Sequence, residues 1–194
     1  HFPAYCLTVE KKTQLDHLVK TKKIQLPKDE KIIAQFNLLQ KKAKSKGFIH
    51  YEISSFGKKE YFSKHNTTYW KNDHYLGIGP SAHSYNGKIR RWNVSSNNTY
   101  ISNVRSNSIY FEEEILTIED QYNEYVLTGL RTIWGLDISV IKKRYNEKIK
   151  LHFLKEIKKW ELKKYVVLNS LVYTLTPSGK KMADSIASDL FIVN

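Results

Sequence analysis

The feature that most constrains this chain is an amphipathic stretch set between two β-rich runs. From Asp29 to about Ser45, Ile32, Phe36, Leu39 and Ala43 recur at helical spacing, and Gly47 supplies a C-terminal stop. Before it, Phe2 to Val9 (FPAYCLTV) is a mostly apolar run, suited to a strand buried on both faces of a parallel sheet. After it, Phe48 to Ser54 (FIHYEIS) is short, aromatic and β-branched. Strand, long helix, strand predicts a βαβ unit with a right-handed crossover, and so an α/β fold. A polar stretch follows, then a short helical turn near Asn66 to Asn72 and a third strand-like piece, Tyr75 to Ile78.

Past Glu112 the texture changes. Thr117-Ile118-Glu119-Asp120 reads as a capping box, and Ile118, Tyr122, Val126, Leu130 and Ile133 form one apolar stripe ending at Gly135. Asp137 caps a second, short helix through Tyr145. A third, from about Lys148 to Leu162, turns Ile149, Phe153, Leu154 and Ile157 inward. Residues 166–173 form a hairpin around Asn169-Ser170, and Thr176-Pro177 starts a closing helix with proline at its first position. Three helices, a two-stranded wing and a last helix predict a winged-helix-like α+β domain. The boundary falls near residues 107–117, giving domains 1–110 and 111–194.

A hydrophobic fraction of 41% and an aromatic fraction of 13% mark a chain that folds around a core. No apolar run approaches the roughly 18–20 residues that span a bilayer. The start has no charged n-region or cleavage site, so no secretory signal is expected. Opening without methionine, directly on a strand-like run, is what a piece of a longer protein would do. The lone Cys6 excludes an internal disulfide and fits a cytoplasmic setting. The formal charge of +13 invites a nucleic-acid reading. Lysine, however, is the default surface residue throughout the chain, and no nucleic acid is expected as partner.

Gly77-Ile78-Gly79-Pro80-Ser81-Ala82 formally matches the dinucleotide fingerprint. Pro80 removes a donor from the loop that should cradle pyrophosphate. The ribose-binding acid expected about 20 residues on is missing as well. A tight turn, where backbone passes close to something, is the competing reading. In His65-Asn66-Thr67-Thr68-Tyr69-Trp70, helical spacing puts His65 and Tyr69 on one face with Trp70 adjacent. An imidazole beside two large aromatics suits an axial ligand of haem iron, although a lone histidine is more often structural. Arg90-Arg91-Trp92-Asn93 offers a pair of guanidinium groups for an acidic substrate or a porphyrin propionate; a solvated basic strand is the commoner outcome. Lys142, Lys143, Arg144, Lys155, Lys158 and Lys159 lie on polar faces of the later helices and make a basic winged-helix nucleic-acid binder a legitimate alternative.

Read in order, AYCLTVE (4–10), HYEIS (50–54), HNTTYW (65–70), YLGIGPSAHSYNG (75–87), RRWN (90–93) and LTPSGKKMADSIASDLF (175–191) resemble HemW, which belongs with the radical-SAM, oxygen-independent coproporphyrinogen III oxidases. The resemblance implies that residues 1 to about 110 are the last part of a radical-SAM (β/α) partial barrel and its extension, followed by the family's small C-terminal domain. It also implies a [4Fe–4S] cluster and S-adenosyl-methionine in the full-length protein only, since one cysteine cannot supply three thiolates. By the same resemblance His65 is the ligand of haem iron, Asn66, Tyr69 and Trp70 shape its pocket, and Arg90 and Arg91 reach the propionates. Thr8, Gly79, Ser81 and His83 lie near bound SAM. No residue of this chain is assigned a catalytic role. The implied function is haem binding and delivery to a haem-accepting protein, with decarboxylation of coproporphyrinogen III as the enzymatic alternative. Cutting a barrel before its late strands also leaves an open apolar edge, through which the chain is expected to dimerise.

Overall fold

A computed structural model describes residues 1–193, which divide into two compact units, one over 1–63 and the other from Lys64 onward. The division falls between Ser63 and Lys64, earlier than the change of texture at 107–117.

The first unit contains β1 (Phe2–Pro3), α1 (Gln14–Lys20), α2 (Asp29–Ser45), β2 (Ile49–Glu52) and β3 (Ser55–Gly57). The helical spacing of α2 is realised over the expected range, and Gly47 ends it with φ +76°. The parallel βαβ pair does not form. β2 and β3 make a hairpin, and β1 lies antiparallel on the other side of β3, so the sheet order is β1-β3-β2. A two-residue hairpin loop brings β3 beside β2 before any crossover can place β1 there. The first strand is also far shorter than expected. Pro3 has no amide hydrogen to extend the ladder, and Tyr5 through Thr8 are exposed instead of buried on two faces. The long apolar parallel edge implied by the sequence is therefore absent. Phe2 and His50 each stack on Phe56, at 5.1 Å and 4.3 Å, and with Tyr51 they form the small core.

The second unit begins with α3 (Lys64–Trp70), followed by β4 (His83–Tyr85), β5 (Ile89–Asn93), α4 (Asn97–Arg105) and β6 (Phe111–Ile115). β4, β5 and β6 form an antiparallel meander. The third expected strand is reduced to one bridge, Tyr75 with Tyr85. At Gly77 the backbone passes so close to His83 that a Cβ would sit 2.2 Å from the His83 carbonyl oxygen, so that position requires glycine.

From residue 116 on, the expected order of elements is present. α5 (Ile118–Leu130) starts on a capping box: Thr117 Oγ1 accepts from the Asp120 amide at 3.1 Å, and Asp120 Oδ2 accepts from the Thr117 amide at 3.0 Å. β7 (Leu136–Asp137) leads into α6 (Ile138–Arg144), capped by Asp137, and α7 (Glu147–Leu162) is capped by Asn146. β8 (Val166–Asn169) and β9 (Val172–Leu175) form the hairpin, with Ser170 at φ +56° in its turn, and the sheet order is β7-β9-β8. The closing helix starts later than expected. Thr176 Oγ1 accepts from the Gly179 amide, a 3₁₀ turn occupies Gly179–Met182, and α8 runs over Ala183–Leu190 with Pro177 left in the turn before it. Tyr122, Val126, Leu130, Ile141, Phe153, Ile157, Ile186 and Leu190 fill the core between these helices. The buried Tyr122 hydroxyl donates to the Leu190 carbonyl at 2.9 Å and ties α5 to α8.

Candidate functional site

The HNTTYW motif folds as α3, which starts two residues before the expected Asn66 and ends two residues before the expected Asn72. His65 and Tyr69 meet edge to face at 5.0 Å, and Tyr69 meets Tyr75 in the same way at 4.6 Å. His65 is exposed, and its ring nitrogens make no hydrogen bond among the described residues. The imidazole is thus oriented by an aromatic edge while both nitrogens stay open to a ligand. Tyr69 is 37% exposed, so its ring is available beside the histidine.

Trp70 faces the other way. Arg131, from the end of α5, lies over its ring at 5.3 Å, and the indole nitrogen is buried without a hydrogen-bond partner. Trp70 therefore anchors α3 against α5 (where Asn72 Nδ2 also donates to Thr128 Oγ1 at 3.2 Å) and does not stand in one open wall with His65. Asn66 is half-buried.

The arginine pair is engaged. Arg90 and Arg91 stand opposite Glu114 and Glu113 in the β5–β6 ladder. Arg90 Nη1 donates to Glu114 at 3.2 Å, and Arg90 also pairs with Glu124 of α5. Arg91 donates to Glu113 from two nitrogens, at 2.8 and 3.2 Å, and lies over the Phe111 ring at 3.6 Å. Trp92 Nε1 donates to Glu112 at 3.2 Å, so three successive residues of one strand find three carboxylates on the next. A cavity of about 310 Å³ beside Arg90 is lined also by Glu114, Asp120 and Glu124, with Leu116, Leu127 and Phe191 as its apolar part. Three carboxylates around one guanidinium make it unfavourable to an anion. The Tyr75 phenol is pushed above its ordinary value by burial, an effect that Arg90 opposes.

The glycine loop approaches its own backbone, not a phosphate. Alternate donors of the loop are already used: the Gly77 amide on Ser84 Oγ at 2.9 Å, the Gly79 amide on the Tyr100 hydroxyl at 3.2 Å, and the Ser81 amide on the Val94 carbonyl at 3.2 Å. The buried Asn93 side chain donates to the Gly79 carbonyl at 2.9 Å. A loop so occupied offers no nest of free amides to a pyrophosphate. Of the residues expected near SAM, Gly79 and Ser81 sit in this loop at φ +101° and +58°, and His83 is exposed with its ring 6.4 Å from Trp92. Thr8 is exposed in the first unit. No group of three or more metal-ligating side chains occurs among the described residues, so a cluster held on three thiolates does not fit this chain.

Several residues that shape the site were missed in the sequence. Tyr75 orients Tyr69, Asn93 and Tyr100 pin the loop, and Arg131 covers Trp70. The one signal for the glutamates was FEEEI itself, three successive acids in a short strand-like run that lies beyond α4 and pairs with RRWN in the β5–β6 ladder. No pattern announced Arg131 or Tyr100, because their contacts are set by tertiary packing alone.

Comparison with known proteins places these observations among named relatives. Over 149 residues the chain is 36% identical to the haem chaperone HemW of Bacillus subtilis, matching 76% of this chain and 38% of that protein. It is 30% identical over 155 residues to the haem chaperone HemW of Lactococcus lactis, covering 80% and 40% of the two. A mitochondrial radical S-adenosyl methionine domain-containing protein 1 of Dictyostelium discoideum is 30% identical over 215 residues, covering 96% and 48%. Among solved structures, the coproporphyrinogen III oxidase HemN of Escherichia coli, a radical SAM enzyme, superposes with a TM-score of 0.66 at 16% identity, over 89% of this chain and 44% of that one. The chain thus spans two-fifths to about half the length of these relatives, and no family model matches it.

Proposed function

We propose, from the premise that this chain belongs to the HemW-like group of the radical-SAM family, that it binds haem through His65 and delivers it to haem-accepting proteins. The observation that carries the reading is the state of His65: exposed, oriented by Tyr69, with neither nitrogen claimed by the protein. An imidazole in that condition is a ready iron ligand, and the Tyr69 ring beside it supplies a surface for a macrocycle. Haem bound there would supply the iron; His65 would hold it through a ring nitrogen, with Tyr69 packed beside that ring. Arg90 and Arg91 would have to exchange carboxylates for propionates, so the affinity rests on His65 and Tyr69. The names of the Bacillus and Lactococcus relatives support the same direction.

Two finer assignments belong to this proposal. Residues 1 to about 110 are read as the late part of a radical-SAM partial barrel and its extension, and 111–194 as a winged-helix-like domain, supported by the order α5, α6, α7, hairpin, α8 and the sheet order β7-β9-β8. S-adenosyl-methionine and a [4Fe–4S] cluster are assigned to the longer protein.

The test is a haem titration followed in the Soret band. The wild-type chain is expected to bind with a shifted Soret maximum. His65→Ala should weaken binding by more than the roughly 10–100-fold typical of losing an outer-shell partner of a metal ligand. Unchanged affinity and spectrum in that variant would refute the assignment.

A further inference from the structure

We propose that the outward face of α7 is a peripheral docking surface for an anionic lipid bilayer. The inward face of this helix is spent on the core, where Ile149, Phe153, Ile157 and Trp160 are buried. Opposite them, Lys148, Leu151, Lys155, Lys158 and Leu162 recur every three or four residues and so share one stripe. Leu151 is 58% exposed and Leu162 75%. On the flanks Lys150 and Lys159 are neutralised by Glu147 and Glu156. Lys148, Lys155 and Lys158 form no ion pair or side-chain hydrogen bond among the described residues, so the stripe keeps its positive charge. Beyond the helix, the β8–β9 turn projects Leu168 and Leu171, the latter 51% exposed, around Asn169 and Ser170.

Charge alone would suit any polyanion; the leucines decide between them. A duplex presents phosphates along its grooves and has little to offer two leucines on the binding face, and a hairpin tip that reads nucleic acid is expected to carry cations. A bilayer interface accepts both parts of the stripe. Leucine side chains enter the acyl boundary while lysine stems lie along it and their ammonium groups reach anionic headgroups. Each such lysine strengthens binding about fivefold. No helix of the described residues is long and apolar enough to cross a membrane, so the contact would be peripheral.

The inference does not rest on haem binding, and its test is separate from the haem titration. The whole chain is floated with vesicles of phosphatidylcholine, with or without an equal part of phosphatidylglycerol, and its affinity for a duplex DNA is measured in the same buffers. Binding to the mixed vesicles and not to the neutral ones is expected. Replacing Lys148, Lys155 and Lys158 together by Gln should lower the vesicle partition coefficient about a hundredfold. Leu151→Ser with Leu162→Ser should lower it about tenfold. All five positions are exposed, so a far-UV circular dichroism melt should match the wild type and exclude misfolding. Failure to bind anionic vesicles, or lysine-dependent binding to DNA that is stronger than to vesicles and indifferent to the leucine changes, would overturn the proposal.

Discussion

The two units solve the problem of burial very differently. In residues 118–190 the helices close over a continuous core in which Tyr122, Val126, Ile141, Phe153, Ile157, Ile186 and Leu190 are fully enclosed. Residues 1–63 bury little beyond Ala43, Tyr51 and Phe56, and leave Tyr5, Leu7, Ile33 and Leu38 in solvent. Helix α2 makes the contrast plain: it has the helical period and a good stop, yet Ala43 is its only buried residue. Local pattern decides that a helix forms; how much stability follows depends on what lies against it. The later region carries its own core, whereas the first unit holds apolar surface with nothing of its own to cover it.

The comparison can be broken most decisively at Phe153. Phe153→Ala should cost about 3–5 kcal/mol in chemical denaturation, because it empties a fully enclosed site. Next comes Tyr122→Phe, which removes one of two side-chain partners of the Leu190 carbonyl, His152 Nε2 at 3.2 Å being the other, and should cost about 0.5–1.5 kcal/mol. The same packing predicts an alkaline weakness. Burial raises the Tyr122 phenol and pushes that of Tyr145 up to about 12 from an ordinary 10.0. The folded state therefore holds these protons longer than the unfolded chain does. Their contribution is whole below pH about 10 and is lost as pH climbs toward about 12, so melting temperatures of residues 118–190 should fall across that window. Thr117→Ala removes half of the capping box and should cost about 1 kcal/mol. Smallest of all, Leu38→Ala in the first unit should stay within about 0.5 kcal/mol; a loss as large as that of Phe153→Ala would show that Leu38 is not solvent-facing and erase the contrast.

What could be read in advance follows the same line. The helices and hairpin after residue 116 were legible because caps, period and turn residues agreed with one another. The first strand was not, since FPAYCLTV looks like a buried strand whatever its neighbours, and only the hairpin of β2 and β3 decides which partner it finds. Nor was the start of α8, where a close approach of Gly179 to the Tyr165 carbonyl delays the helix past Pro177. At the site, helical spacing correctly joined His65 to Tyr69. The direction of Trp70 and the capture of Arg90 and Arg91 by glutamates depended on elements 20 or more residues away.

The central claim is that an unclaimed imidazole at position 65 ligates haem iron, and chemical rescue probes it most directly. His65→Gly is mixed with haem and titrated with free imidazole, following the Soret band. The account predicts a spectrum lost in the variant and restored by imidazole to that of the wild type. A His65→Gly protein whose haem spectrum already matches the wild type, with no response to added imidazole, would contradict it.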